Sequence, residues 1–452
     1  MNITERIDAL TEDMIRDLST LVQYNSELGE EKPGMPFGEG PALALKEALS
    51  IAQRMGFETK NLDNYCGYAQ IGSGEEIIGI VAHLDIVPAG EGWETDPFCM
   101  TRIGDTLYGR GVSDDKGAAV ASLYTLKLLE ESGILLNKRV RLIFGCNEET
   151  GSKCMAHYNE VEEKVTAGFT PDGEFPGIHG EKGMLKMTAY SKNTRILSMN
   201  GGFVSNAVCN RCTTQVPADA VNKEKLENAL KETGLPEYTV TEENGVLTIY
   251  AQGVAAHAST PLLGINAAGC TMKALAQAGM KDDFVEYYNS HIGTACDGEG
   301  YGLKIRDDYG ELTLNNGIVK TQDGNISCTI DIRVPVTFGE EQLRSMAEPY
   351  LEDEKGRTEI NAIVGSLFYP EDSPLVTALY NAYVEVTGDT TVKPMVIGGG
   401  TYAKSIPGII AFGCQWLGTD NHIHDANEKL EIAELKKQVE IYIQAVKNLL
   451  AM

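Results

Sequence analysis

The apolar residues in the first third of the chain recur at helical spacing in three segments. A first amphipathic helix is predicted near the N-terminus, where six apolar side chains lie among acidic residues: Ile3, Ile7, Leu10, Met14, Leu18 and Leu21. A second helix is predicted from Pro41 to Phe57, with Gly56 placed to end it. A third is predicted from Lys116 to Gly133. Each segment is expected to pack one face against a core.

Continuous apolar runs between these segments predict buried strands. The runs extend from Ile77 to Val81, from Val140 to Phe144 and from Ala167 to Thr170. Strands that alternate with helices favour an α/β fold, with a mostly parallel sheet and helices on both faces. In such sheets ligands bind beyond the carboxyl ends of the strands. Polar residues follow each of the three runs, so this edge of the sheet is the predicted site.

The pattern changes near Gly183 and returns after about Tyr369. The segments GMLKMTAYS, GVLTIYAQG and DGNISCTIDIRVP alternate apolar and polar residues, which is typical of half-exposed antiparallel strands. A helical segment, SPLVTALYNAYVEVTG, and an apolar run from Gly408 to Gly413 follow. We therefore predict a catalytic domain formed by residues 1–182 and 370–452, with an α+β domain of residues 183–369 inserted into it.

The composition narrows the partners of the chain. Of 452 residues, 42% are hydrophobic and 23% are charged, and the formal net charge is −27. A charge of this sign repels nucleic acid and anionic membranes, and most of it is expected to keep the surface solvated. The N-terminus lacks a basic start, and no run reaches the ~20 apolar residues of a membrane span. A cytoplasmic location is expected.

Ten cysteines occur at irregular positions, which favours reduced thiols over a disulfide framework. The only CxxC segment runs from Cys209 to Cys212. A structural zinc site would need a second pair and a redox site a thioredoxin-like setting, and neither is evident. The role of this pair stays open.

Two histidines and a set of carboxylates carry the candidate chemistry. His83 and His424 each follow an apolar run, and six acidic residues are predicted at the same edge of the sheet: Asp85, Asp114, Asp115, Glu148, Glu149 and Asp172. Converging carboxylates repel one another unless they are protonated or bound to cations. Two divalent ions would remove that repulsion. Imidazole and carboxylate ligands without thiolates suit zinc, manganese or cobalt.

Such a pair of ions activates water, and hydrolysis then needs a base. A water between two ions becomes a nucleophile at neutral pH, and a further carboxylate must take its proton and deliver it to the leaving group. Glu148 and Glu149 could divide the tasks of base and ligand. Simpler alternatives remain: a lone histidine is often structural, Asp114 and Asp115 could cap the following helix, and the two glutamates could be solvated surface charge.

Five motifs in order resemble the dinuclear-zinc peptidase family, which includes aminoacylases, carnosinases and glutamate carboxypeptidases. They are His83-Leu84-Asp85, GRGVSDDKG from Gly109 to Gly117, Asn147-Glu148-Glu149 followed by Thr150-Gly151-Ser152, Pro171-Asp172, and HDANE from His424 to Glu428. The resemblance spans nearly the whole chain.

The resemblance implies a ligand set for two metal ions. Asp114 would bridge the ions. His83 and Asp172 would complete one site, and Glu149 and His424 the other. Zinc is the expected metal, with manganese or cobalt as alternatives.

The same resemblance implies roles beside the metal ligands. Glu148 would be the general base, and Asp85 would orient the imidazole of His83. Asp115 would sit at a cis peptide bond that is typical of the family.

Residues of the inserted domain are implied to contact the substrate. In GVAAHAST, from Gly253 to Thr260, His257 resembles the histidine that polarises the scissile carbonyl. Arg333 matches a position that binds the substrate carboxylate, and Asn206 would assist. The glycine-rich run from Gly398 to Ser405 lacks the spacing of a phosphate-binding loop. Its residues Gly399, Gly400 and Thr401 are expected to approach the substrate's terminal carboxylate.

The inserted domain is similar in length to the extended lid of the bacterial dipeptidase V group. That group resembles Xaa-His dipeptidases and carnosinases. The segment from Asp297 to Ile305 is similar to part of that lid, although it departs in detail. The resemblance implies a metal-dependent dipeptidase that works as a monomer under a closing lid. Two alternatives stay open: an amidohydrolase that deacylates N-acyl amino acids, and a metal-dependent binding protein without catalysis.

Overall fold

The computed structural model describes residues 2–134 and 136–452. The chain divides into two compact units, one formed by Met1–Gly180 and Tyr369–Met452 and the other by Glu181–Phe368. The first unit therefore contains both ends of the chain, and the second is continuous in sequence.

The described residues form ten α-helices and twenty-four strands. The helices are α1 Ile3–Val22, α2 Glu39–Arg54, α3 Lys116–Glu131, α4 Lys153–Val161, α5 Lys223–Glu232, α6 Ala267–Gln277, α7 Asp283–His291, α8 Glu340–Ala347, α9 Pro374–Thr387 and α10 Ile432–Leu450. The first twelve strands are β1 Glu58–Leu62, β2 Cys66–Ile71, β3 Ile77–His83, β4 Thr101–Ile103, β5 Thr106–Tyr108, β6 Arg139–Gly145, β7 Ala167–Thr170, β8 Glu174–Phe175, β9 Ile178–Glu181, β10 Gly183–Ser191, β11 Ser198–Gly201 and β12 Arg211–Pro217. The others are β13 Glu237–Glu243, β14 Val246–Gln252, β15 Arg306–Asp307, β16 Gly310–Glu311, β17 Thr313–Gln322, β18 Asn325–Val334, β19 Gly356–Val364, β20 Leu367–Phe368, β21 Met395–Ile397, β22 Ile409–Ala411, β23 Gln415–Trp416 and β24 Lys429–Glu431.

The three helices predicted near the N-terminus all form. Helix α1 buries Ile7, Leu10, Met14, Leu18 and Leu21, which is the apolar stripe that the spacing indicates. Helix α2 ends just before Gly56, whose φ of +94° is a conformation that glycine adopts without a steric penalty.

The main sheet of the first unit has the strand order β1-β2-β6-β3-β7-β22-β9. Strands β6, β3, β7 and β22 are parallel neighbours, whereas β1, β2 and β9 pair antiparallel at the sides. Every residue of β3 is buried. Because successive side chains of a strand point to opposite faces, both faces of this strand are covered.

The second unit is built on an antiparallel sheet with the order β13-β14-β12-β11-β17-β18-β10-β19. Strand β10 alternates buried and more exposed residues along its length, as its sequence predicts. Helix α6 packs against β12 and β14, and α7 against β10 and β19. The apolar residues between these helices and the sheet form the core of the unit.

The predicted fold class is confirmed: a parallel-rich α/β sheet and a separate antiparallel α+β unit are both present. Among the described residues, no helix combines the length and the apolar character that crossing a membrane requires.

Candidate metal and active site

The polar residues that follow three strands meet at one edge of the parallel sheet. Strand β3 lies between β6 and β7, and its last residue, His83, is in register with Gly145 at the end of β6. The Asn147-Glu148-Glu149 segment follows β6, and Asp172 follows β7. Parallel strands end on the same side, so these side chains come together although they are distant in sequence.

The carboxylate of Asp114 lies between two imidazoles. Its Oδ1 is 2.9 Å from Nε2 of His83, and its Oδ2 is 3.0 Å from Nε2 of His424. Nε2 of His424 also lies 3.2 Å from Oε1 of Glu149. One carboxylate that presents a separate oxygen to each of two ligand groups is arranged as a bridging ligand requires.

Two sets of three side chains offer converging ligand atoms. The ligand atoms of each set lie within 4.8 Å of one another: His83, Asp114 and Glu149 in one set, and His83, Glu148 and Asp172 in the other. The donors are imidazole nitrogens and carboxylate oxygens without thiolates, which fits divalent zinc, manganese or cobalt.

The charges of this cluster shift the pKa values of its members. Burial opposes the charged form of His83, but its hydrogen bond and charge interaction with Asp114 raise its pKa above the usual value. Hydrogen bonds to Asp114 and Glu149 raise the pKa of His424 to about 11. Burial and the charge of Asp172 raise the pKa of Glu148 well above that of a free glutamate. The carboxylates therefore repel one another, and the imidazoles offset only part of this repulsion.

Asp85 contacts His83 and the Glu148–Glu149 pair through different groups. Nδ1 of His83 lies 2.9 Å from the main-chain oxygen of Asp85, whereas the carboxylate is 3.6 Å away. The two carboxylate oxygens instead accept hydrogen bonds from the backbone amides of Glu148, at 3.0 Å, and Glu149, at 3.1 Å. Asp85 thus orients the imidazole through its carbonyl and fixes the two glutamates through its side chain.

Asp115 does not cap the helix that it precedes. It is the N-cap residue of α3, yet its side chain makes no capping hydrogen bond. Its Oδ2 accepts a hydrogen bond of 3.0 Å from the backbone amide of His83. The simple capping alternative is therefore wrong for this residue. The Asp114–Asp115 peptide bond is cis, as the family resemblance implies.

His424 stands on an unusual backbone. Its φ is +64°, a left-handed conformation that is uncommon for residues other than glycine. Such conformations cost about 1–3 kcal/mol and cluster at functional sites. The side chain is more than half exposed, so an apolar core does not hold it there.

The glycine-rich turn lies near this cluster because Tyr402 anchors it. Tyr402 is fully buried, and its hydroxyl lies 3.0 Å from Sγ of Cys154 and accepts a hydrogen bond of 3.5 Å from the amide of Asn147. A Cβ atom at Gly145 would stand 2.0 Å from that hydroxyl, which explains the glycine at this position. In the same turn, Oγ1 of Thr401 accepts from the amide of Ala403. Tyr402 was missed in the sequence analysis, which singled out Gly399, Gly400 and Thr401 in this turn.

The substrate-binding residues predicted in the inserted domain lie in the second unit. Asn206 and His257 are exposed neighbours: the amide of Ala258 donates to the carbonyl of Asn206 at 2.8 Å. Nδ1 of His257 accepts from the amide of Ser259 at 3.2 Å, so the neutral ring carries its proton on Nε2. That tautomer presents a donor, as stabilising an oxyanion requires.

Arg333 has a carboxylate partner that the sequence did not reveal. Its Nε and Nη2 donate to the two oxygens of Asp331, at 2.7 and 3.3 Å, and both side chains are buried. Two residues apart on β18, they share one face of the strand. The spacing of two residues along a strand was the feature of the sequence that could have indicated this pair.

Cys209 and Cys212 are buried free thiols. Sγ of Cys209 donates to the carbonyl of Arg211, and burial raises the pKa of this thiol to about 11. A buried thiol with a raised pKa is a poor nucleophile.

Comparison with known proteins agrees with the fold and shows the family. Residues 79–448 match the family described as "Peptidase family M20/M25/M40". The chain belongs to this family. The predicted family and the prediction of a peptidase are therefore confirmed.

Several similar proteins have been named or solved. The chain is 32% identical over 467 residues to "Putative dipeptidase YtjP" of Bacillus subtilis (strain 168), covering 99% of this chain and 100% of that protein. It is 31% identical to "Putative dipeptidase" of Staphylococcus epidermidis, covering 98% of each. Human carnosine dipeptidase 1 has the same fold, with a TM-score of 0.58 at 15% identity, covering 100% of this chain and 98% of that one. Aminoacylhistidine dipeptidase from Vibrio alginolyticus gives 0.55 at 14% identity, covering 96% of each chain.

Proposed function

We propose that this protein is a metal-dependent dipeptidase that holds two divalent ions at the edge of its parallel sheet. The observation that carries the proposal is the Asp114 carboxylate, which presents one oxygen to His83 and the other to His424. Relatives that cover nearly the whole chain carry the name "Putative dipeptidase", which supports the choice of substrate.

The proposed ligands form two groups, one beside each carboxylate oxygen of Asp114. His83 and Asp172 would hold one ion, His424 and Glu149 would hold the other, and Asp114 would be shared by both. Zinc is the expected metal, with manganese or cobalt as alternatives. When bound, the ions polarise the scissile carbonyl and acidify a water molecule.

Glu148 is the proposed general base. Its carboxylate belongs to the same cluster as His83 and Asp172, and Asp85 fixes its backbone amide. It takes the proton of the attacking water and transfers it to the leaving nitrogen, which must be protonated to depart as an amine.

The C-terminal carboxylate of the dipeptide is assigned to cationic and backbone groups. Arg333, locked in place by Asp331, offers guanidinium donors for the C-terminal carboxylate, and Asn206 assists. In the glycine-rich turn, a Cβ at Gly399 would meet only an ordinary contact of 3.6 Å, and that at Gly400 only the flexible side chain of Lys404. The chain's own packing therefore does not require these glycines, which supports a role with Thr401 in close approach to substrate.

Replacing His257 by Ala is expected to lower kcat about 10²- to 10³-fold, because one preformed donor to the developing oxyanion is lost. The metal content should stay at the wild-type value, since His257 is not among the proposed ligands. Steady-state kinetics combined with metal analysis checks this. His291→Ala, which removes an imidazole of the same unit that stacks on Tyr287 and is given no role at the site, is the matched control. An unchanged kcat in His257→Ala would remove His257 from the mechanism.

A substrate panel tests the proposed function directly. Purified protein loaded with zinc or manganese should hydrolyse free dipeptides at rates at least about tenfold above those for acetylated or succinylated amino acids, because the pocket is proposed for a dipeptide, whose free amino end acylated amino acids lack. Amino acid release is the measurement. Exclusive turnover of acylated substrates would replace the dipeptidase by the deacylase alternative. Tight metal binding without turnover of either class would favour the non-catalytic binding protein.

We further propose that the enzyme acts as a monomer in the cytoplasm on small peptides, without nucleic acid or membrane partners. The inserted domain is similar in length to the extended lid of the dipeptidase V group, which supports a monomer, and the net charge of −27 disfavours anionic partners.

A further inference from the structure

Arg110 and Glu428 form a buried ion pair that contacts the loops carrying two of the proposed metal ligands. Nη1 of Arg110 donates to Oε2 of Glu428 at 2.8 Å, and the side chains are 2% and 0% exposed. Neither residue touches a substrate-facing group in the proposed mechanism. Burying two charges is costly unless every polar group finds partners, so a pair in this place needs an explanation.

The carboxylate of Glu428 is saturated by donors from the loop that carries Asp114. Oε2 accepts from Arg110 and from the amide of Gly111 at 2.9 Å, and Oε1 accepts from the amides of Ser113 at 2.9 Å and Asp114 at 3.0 Å. Four donors fill the lone-pair sites of one carboxylate. The backbone position of Asp114 is therefore set by Glu428.

The guanidinium of Arg110 reaches two other loops. Its Nη2 lies 3.2 Å from the carbonyl of Asp425, directly after His424, and 3.4 Å from the carbonyl of Ala89, in the loop that follows Asp85. The same guanidinium stacks over Trp93, with 5.3 Å to the ring centre. Each of the three loops joined by the pair carries a residue of the proposed metal site or its immediate support.

We infer that Arg110 and Glu428 are positioning residues that hold these three loops in fixed positions relative to one another. This inference rests on the proposed two-metal function. The pair holds Asp114 and His424 at the separation at which both can face the same ions. An apolar pair of similar size would fill the space but would leave the amides of Gly111, Ser113 and Asp114 without an acceptor.

Glu428→Gln tests this inference. The amide group of Gln brings N–H donors against the donors that now face the carboxylate, so the loop of Asp114 must shift. Substitution of groups that orient metal ligands typically costs about 10- to 100-fold in metal affinity, and we expect a loss of this size. The measurement is the dissociation constant of zinc by competition with a chromophoric chelator, with the unfolding midpoint of the metal-free protein recorded in parallel.

The chain offers a matched control in a second buried ion pair of the same unit. Nη1 of Arg141 lies 3.2 Å from Oε2 of Glu162, with side-chain exposures of 2% and 6%. This pair contacts Tyr158 and Gln70 and no proposed metal ligand. Glu162→Gln should lower the unfolding midpoint while leaving the zinc affinity within about twofold of wild type.

The outcomes separate the possibilities. Wild-type zinc affinity in Glu428→Gln, or an equal loss in Glu162→Gln, would overturn the positioning role and leave the proposed function intact. A wild-type protein that binds no divalent ion would overturn both. If Glu428→Gln does not fold, Arg110→Lys provides the test: it keeps the charge but not the fork of donors, and unchanged zinc affinity in that variant contradicts the inference.

Discussion

Glu148→Gln is expected to lower kcat by about 10²- to 10⁴-fold while the protein keeps its full complement of metal. Gln has the shape of Glu but cannot accept the proton of the attacking water, and removing a general base has effects of this size. The hydrogen bond from the Glu148 backbone amide to Asp85 does not depend on the side chain, so the local structure should persist. Single-turnover kinetics and metal analysis of the same preparation provide the measurement.

Glu149→Gln is the informative companion, because the neighbouring residue is assigned a different task. Oε1 of Glu149 lies 3.2 Å from Nε2 of His424, in the proposed ligand set. This variant should lose metal affinity, and excess zinc should restore part of its activity. Excess zinc should do nothing for Glu148→Gln. Unchanged turnover in Glu148→Gln, or recovery of that variant by zinc, would refute the assignment of the base.

Removal of divalent ions should abolish hydrolysis, and zinc, manganese or cobalt should restore it. Without cations the clustered carboxylates repel one another, and the imidazoles of His83 and His424 offset only part of this charge. The metal-free protein should also unfold at a lower temperature. A ligand present at 100 times its dissociation constant stabilises the folded state by about 2.7 kcal/mol.

The stoichiometry of metal distinguishes two bound ions from one. Metal analysis after dialysis should give two ions per chain, and Asp114→Asn should reduce both, since the bridging carboxylate serves each site. Asp13→Asn is a control on helix α1, where the partly exposed carboxylate pairs with Arg16. Full activity in protein that contains no divalent ion would end the two-metal account.

The sequence by itself determined the class of fold and the family of this protein. The helical spacing of apolar residues in α1 and the alternation of buried and exposed residues in β10 depend on which side of the element faces the core. This side can be identified from residues that are close together in the sequence. The motifs at His83, Asp114, Glu148, Asp172 and His424 occur in an order that led to the peptidase family, which the family match confirms.

Only the tertiary structure decided which groups contact each other at the site. Glu428 and Arg110 both stand within motifs that the sequence drew attention to, yet they are 318 residues apart and nothing in either motif indicates that they pair. The carboxylate of Asp85 faces the amides of Glu148 and Glu149, and the guanidinium of Arg333 faces Asp331. Periodicity specifies the face on which a side chain lies, whereas a hydrogen-bond partner depends on where distant loops meet, and that is fixed only when the whole core packs.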